Sequence, residues 1–173
     1  MAFSERLSAL DASFLEIEEP GSHMHVGAVL VLDAVPLRDS EGRLAFDRIA
    51  AMVEARIHDF PRYRQRIARI PVEDHPAWVD DPDWNLQYHL RHTSLPKPGD
   101  LRQLKRLAGR IMSQQLDRGK PLWEMWIVEG LEGDRFAVIA KVHHCMIDGV
   151  SGVDLIAALL RPTPDSPVEV APE

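Results

Sequence analysis

Lys141-Val142-His143-His144-Cys145-Met146-Ile147-Asp148-Gly149 is the stretch on which the reading of this chain turns. Before it runs a strand-like pattern, Phe136 to Val142, and after it an apolar helical pattern from about Val150 to Leu160. The segment therefore reads as a strand-to-helix junction carrying two imidazoles. Histidine titrates near 6.5 when unperturbed, so this pair is the best source of a general base in the sequence. Side chains alternate along a strand, which gives His144 the parity of Val142, Ala140, Val138 and Phe136. His143 takes the parity of Lys141, Ile139, Ala137 and Arg135. The pattern places His144 on the drier face, where desolvation keeps an imidazole neutral, and His143 on the more polar one. Asp148 and Gly149 fall at the helix mouth, the aspartate as a cap and the glycine permitting a tight turn.

Working outward, Leu122 to Val128 pairs naturally with Phe136 to Val142 through a hairpin turn at Gly130-Leu131-Glu132-Gly133-Asp134. Upstream, Pro98-Gly99-Asp100 opens a helix with Asp100 as N-cap and Leu101, Leu104, Ala108 and Ile111 facing inward. Arg66 to Val72 and Leu86 to His92 read as strands. Phe46, Ile49, Ala50, Val53, Ile57 and Phe60 keep helical spacing up to Pro61. Met24 to Leu32 is apolar on both alternating faces and predicts a central strand covered on both sides. Asp11 to Glu16 reads as a short helix. These elements predict an α/β (α+β) domain, a mixed sheet with packed helices, over residues 1–161. Residues 162–173, with Pro162, Pro164, Pro167 and Pro172, read as a linker toward a further domain.

The bulk properties narrow the function classes. A net charge of −7, from 20 basic and 27 acidic residues, argues against nucleic acid as a partner, and Arg62 to Arg69 reads as a solvated basic stretch. One cysteine, Cys145, excludes an internal disulfide and fits a reducing compartment. No apolar run approaches the roughly 18–20 residues that span a bilayer, and no secretory signal pattern opens the chain. A cytoplasmic protein is expected, with peripheral contact to a membrane or lipid droplet left open.

Three chemistries compete at the histidine pair. Metal binding is disfavoured, because strand neighbours point to opposite faces and do not readily share one ion. A Cys145 nucleophile paired with His144 meets a similar objection, and Cys145 reads as a small core residue. A general base remains, weighed against a merely structural histidine with Asp148 as a cap.

His143-His144-x-x-x-Asp148-Gly149 resembles the active-site motif of the CoA-dependent acyltransferase superfamily, which includes chloramphenicol acetyltransferase, carnitine acyltransferases and peptide-synthetase condensation domains. Further segments are similar to the wax ester synthase/diacylglycerol acyltransferase family. They are Leu7 to Leu15, Met24-His25-Val26-Gly27, Tyr88-His89-Leu90-Arg91, Leu95-Pro96-x-Pro98-Gly99 and Leu116-Asp117-Arg118-x-x-Pro121-Leu122-Trp123-Glu124. The resemblance covers residues 4–160 in order. It implies a chloramphenicol-acetyltransferase-like two-layer domain, acyl-CoA as substrate without a cofactor or metal, and diacylglycerol or a long-chain alcohol as acceptor. It also implies His144 as general base, His143 as support and Asp148 as the residue holding the turn. Proteins of this family are about twice this length, so the resemblance implies a C-terminal half that completes the site. Other superfamily activities, such as polyketide-associated acyl transfer, and a non-catalytic lipid-binding role are the alternatives. Trp123, Trp126 and His25 are weaker candidates for a substrate channel, because large aromatics and histidines on strands usually belong to the core.

Overall fold

The computed structural model describes residues 5–147. Asp148, Gly149, the helix expected at 150–160 and the linker at 162–173 lie outside the described residues. In chain order the elements are β1 (Glu5–Arg6), α1 (Ala9–Glu16), β2 (His25–Asp33), α2 (Phe46–Ile57), β3 (Gln65–Arg69) and β4 (Pro76–Asp80). They continue with α3 (Leu86–His89, a single turn), β5 (Leu90–Ser94), α4 (Leu101–Met112), β6 (Trp123–Leu131) and β7 (Arg135–His143).

Four strands form the main sheet in the order β2-β7-β6-β5. β7 runs antiparallel to β2 and β6, while β5 runs parallel to β6, so the sheet is mixed as expected. The β6–β7 hairpin turns through Gly130 and Gly133, both at positive φ, which glycine adopts without a Cβ penalty. A second, antiparallel sheet has the order β1-β4-β3. β4 was not expected from sequence: a strand beginning at Pro76 and bounded by aspartates reads locally as a turn. Its residues Ala77 and Trp78 are nevertheless buried. The segment read as one strand from Leu86 to His92 is instead the turn α3, capped by the Asn85 side chain, followed by β5.

Helices pack on the main sheet from both sides. Leu104 and Ile111 of α4 meet Val128, Ala137 and Ile139 on one face. On the other, Trp123, Met125, Ile127 and Phe136 join Ala12 and Leu15 of α1 and Ile49, Val53 and Ile57 of α2. Burying side chains of this size stabilises by roughly 1.5–3 kcal/mol each, which makes the sheet-and-helix core the rigid support for the β7 terminus.

α4 starts where its cap demands. The Asp100 carboxylate accepts from the Gln103 backbone N–H at 2.8 Å, and the Gln103 side chain accepts in return from the Asp100 N–H at 3.0 Å. Leu101, expected to face inward, is 46% exposed, because the inward stripe begins only at Leu104. Gly109 lies on the outer face of this helix, with nothing within 4 Å of an added Cβ. Gly109→Ala is therefore expected to stabilise the fold by about 0.5–1 kcal/mol, measured by chemical denaturation.

β2 departs from expectation. Among the described residues it is an edge strand paired only with β7, and Val26, Val29 and Val31 are 41%, 46% and 38% exposed. Alternating apolar residues on both faces predicted cover on both faces, but the period reports apolarity, not where the strand lies in the sheet.

Candidate active site

β7 delivers the histidine pair, and the strand ends at the first of them. His143 closes the β2–β7 ladder opposite His25, and His144 opens a one-turn 3₁₀ segment, His144–Met146. The His144 backbone N–H still donates to the Met24 carbonyl at 2.7 Å, which ties the turn to the start of β2. Because the chain turns here, strand parity stops at His143, and the two rings enter different surroundings.

His143 is the more buried ring, 1% exposed, so the drier position belongs to it and not to His144. Its surroundings are nonetheless polar, as its parity with Lys141 predicted. The His143 Nδ1 accepts from the Cys145 backbone N–H at 3.2 Å, which places the ring proton on Nε2. Nε2 faces the Glu18 carboxylate at 3.6 Å. Glu18 is the hub of this cluster, with its side chain 1% exposed. One carboxylate oxygen, Oε2, accepts from Arg118 Nη2 at 2.7 Å, Arg118 Nε at 3.2 Å and Gln115 Nε2 at 2.9 Å. The other, Oε1, accepts from the Met24 backbone N–H at 3.3 Å and lies 3.5 Å from His25 Nε2 and 3.8 Å from His23 Nδ1.

The charges in the cluster follow from these contacts. Burial alone would raise the Glu18 carboxyl, but the Arg118 and Gln115 donors outweigh it and hold the group at about 2. Burial pushes the His143 imidazole down to about 4 against the pull of Glu18, and burial together with the Lys141 ammonium also lowers His25. At neutral pH the cluster therefore holds an ionised Glu18 carboxylate beside neutral His143 and His25 rings. A histidine kept neutral in the fold takes up a proton more readily when unfolded, so stability is lost as pH falls from about 6.5 toward about 4. Chemical denaturation at pH 7 and pH 4.5 should differ by on the order of 2 kcal/mol from this residue, a difference that shrinks in His143→Asn.

His144 is placed otherwise. Its half-buried ring stacks on Phe14 of α1, centroids 4.1 Å apart and planes at 28°. Its Nδ1 is fully buried and has no hydrogen-bond partner among the described residues. An imidazole held by stacking, with its nitrogens uncommitted, can take and return a proton. Cys145 beside it is buried, its thiol pushed up to about 12 by burial and by the negative charge of Asp11, so it stays protonated and is a poor nucleophile.

Trp123 and Trp126 project from opposite faces of β6. Trp123 is 3% exposed, stacks on His89 at 4.7 Å and donates through Nε1 to the Tyr63 carbonyl at 2.8 Å. Trp126 is half-buried and donates to Glu124 at 3.0 Å. Both border a cleft of about 560 Å³, which is otherwise lined by Tyr88, Arg91, Arg118 and Glu124 among others, and which adjoins the Glu18 cluster through Arg118. His144 is not part of its lining. Beneath it Lys141, 1% exposed, pairs with Glu124 at 2.5 Å and donates to the Ile111 and Gln114 carbonyls at 2.9 Å each, fastening the end of α4 to the sheet. Among the described residues no group of three or more His, Cys, Asp or Glu side chains is spaced to hold a metal ion. No helix among them is long and apolar enough to cross a membrane.

Sequence reasoning singled out the two histidines but not Glu18 or Phe14. Both come from the α1–β2 segment, and no local spacing marks them. Phe14 and Arg118 lay within segments noted only for their resemblance.

A mixed sheet flanked by helices, with paired histidines where its β7 strand turns, defines an acyltransferase-like α/β domain. The chain belongs to the wax ester synthase/diacylglycerol acyltransferase family, whose catalytic-domain model matches residues 7–173. A Mycobacterium tuberculosis protein assigned as a diacylglycerol O-acyltransferase is 40% identical over 168 residues, covering 96% of this chain and 33% of the relative. The solved wax ester synthase/diacylglycerol acyltransferase from Marinobacter aquaeolei VT8 superposes with a TM-score of 0.81 at 28% identity, over 97% of this chain and 39% of that one. A starter condensation domain of rhizomide synthetase shares the fold, with a TM-score of 0.71 at 11% identity, over 90% of this chain and 34% of that one. The chain thus spans a third to two fifths of the length of these proteins.

Proposed function

We propose that this chain forms part of an O-acyltransferase that moves a fatty acyl group from acyl-CoA to the hydroxyl of diacylglycerol or a long-chain alcohol. The supporting observation is the uncommitted His144 ring at the β7 turn, in a chain of this family. His144 is assigned as general base. Its ring nitrogen takes the proton from the acceptor hydroxyl as that oxygen attacks the thioester carbonyl. The new C–O bond forms, the C–S bond breaks, and the proton passes from His144 to the departing CoA thiolate. Positioned base catalysis of this kind contributes roughly 10²–10⁴ in rate. His143 is assigned as support from behind the turn, and Asp148 and Gly149 as the residues holding its far side. No cofactor or metal is required by these steps. A C-terminal half is proposed to supply the facing wall of the site, and the protein is proposed to work in the cytoplasm, in peripheral contact with a lipid surface where its acceptors reside.

Labelled acyl-CoA offered with dodecanol, hexadecanol or diacylglycerol tests the reading. Ester formed with at least one acceptor is the expected result, and the preferred acceptor separates wax ester from triacylglycerol synthesis. Acyl transfer to none of them, with or without an added C-terminal half, would remove it.

A further inference from the structure

The outer face of α4 carries Arg102, Lys105, Arg106 and Arg110, all exposed, and the helix contains no acidic residue. Among the described residues none of the four side chains has an ion-pair or hydrogen-bond partner. Elsewhere among the described residues most arginines are matched with carboxylates, among them Arg6 with Glu73, Arg62 with Glu5, Arg69 with Asp74 and Arg118 with Glu18. Residues at i, i+4 and i+8 lie along one side of a helix, so Arg102, Arg106 and Arg110 form a row about 12 Å long, with Lys105 beside it. Gly109 leaves the same side low, with open space above it, and Leu101 is exposed at its start. The opposite face of α4 is fixed to the sheet through Leu104 and Ile111, so the row is rigidly presented.

We propose that this face docks the protein on an anionic phospholipid surface. A straight row of unmatched cations on a convex helix, without a pocket or aimed hydrogen-bond groups, suits an extended charged plane better than the shaped surface of a folded partner. The overall negative charge does not oppose this, because at physiological salt fields reach only about 8 Å. The proposal deepens the peripheral contact suggested above and rests on that reading only for the kind of surface. Acyl transfer by His144 can fail without affecting it.

The test is sedimentation of the purified chain with vesicles of phosphatidylcholine alone or mixed with roughly one third phosphatidylglycerol. Binding is expected only to the anionic vesicles and should fade as salt is raised from about 0.1 M to about 0.5 M. The triple variant R102Q/R106Q/R110Q should bind on the order of 100-fold more weakly, each cation near such a surface contributing about a factor of five. R102K/R106K/R110K should bind like wild type, and neither variant should change the melting temperature. His144→Ala should bind normally. Undiminished binding of the Gln variant, equal binding to both vesicle types, or no binding to either would overturn the proposal. Retention on polyglutamate in place of the anionic vesicles would also overturn it, marking the row as a site for an acidic protein.

Discussion

Replacing His144 with alanine should lower acyl-transfer turnover by about 10²-fold or more, with the fold retained. The ring is half-buried, and its one defined aromatic contact is the 4.1 Å stack on Phe14. Losing that stack costs about 0.5–1.5 kcal/mol, too little to unfold the chain. Stability and rate therefore separate: a small drop in melting temperature beside a large drop in turnover of labelled acyl-CoA. His144→Gln sharpens the comparison, because an amide can hydrogen-bond to an alcohol but cannot take its proton at neutral pH. Both variants should be similarly slow, with the Michaelis constant for acyl-CoA little changed, as expected when an interaction made in the transition state is removed. Turnover near that of wild type in His144→Gln would take proton transfer away from this ring.

The elements that sequence made legible are those written locally. The β6–β7 hairpin is announced by its glycines, α4 by Asp100 and Gln103, and the histidine pair by its position after an apolar strand. What was missed depends on distant contacts. β4 is a strand because β1 and β3 pair with it on either side, not because Pro76 to Asp80 favours extension. β2 has the composition of a central strand, yet among the described residues it lies at the edge, a place set by which partners it has. Strand parity assigned the two histidine faces only up to the point where β7 stops. His143 obeys it, while His144, one residue on, belongs to a turn. Glu18 was invisible for the same reason: its partners Arg118 and His143 lie 100 and 125 residues away in the chain. A carboxylate just past a short helix carries no local mark of the charges that will surround it.

That invisibility makes Glu18 the informative second target. Glu18→Ala should destabilise the fold by about 3 kcal/mol in chemical denaturation. The substitution removes the acceptor for the two Arg118 nitrogens, Gln115 and the Met24 N–H at once, and it leaves the Nε2 proton of His143 facing a void. Arg118 is 43% exposed at its side chain and can turn to water, which keeps the loss at the low end of what breaking a buried pair costs. His143, 1% exposed, has no such escape, so loss of the carboxylate that faces its Nε2 at 3.6 Å carries the remainder. Glu18→Gln retains one acceptor oxygen, loses the charge, turns the other acceptor into an amide donor, and should cost about half as much. The acid sensitivity changes with it. Without the carboxylate the attraction that supports protonation of His143 disappears, so its imidazole falls further and its share of the acid loss extends below about pH 4, while the loss that Glu18 itself undergoes as pH falls from about 4.5 toward about 2 disappears. Because Cys145 is held by the Nδ1 of the same ring, loosening His143 also loosens the turn that carries His144. Turnover in Glu18→Ala should therefore fall even at temperatures where the protein remains folded, and Glu18→Gln should recover part of it. A Glu18→Ala protein that melts and turns over like wild type would mean that His143 is held by its backbone contact alone, and that the carboxylate neutralises Arg118 without governing the turn that carries His144.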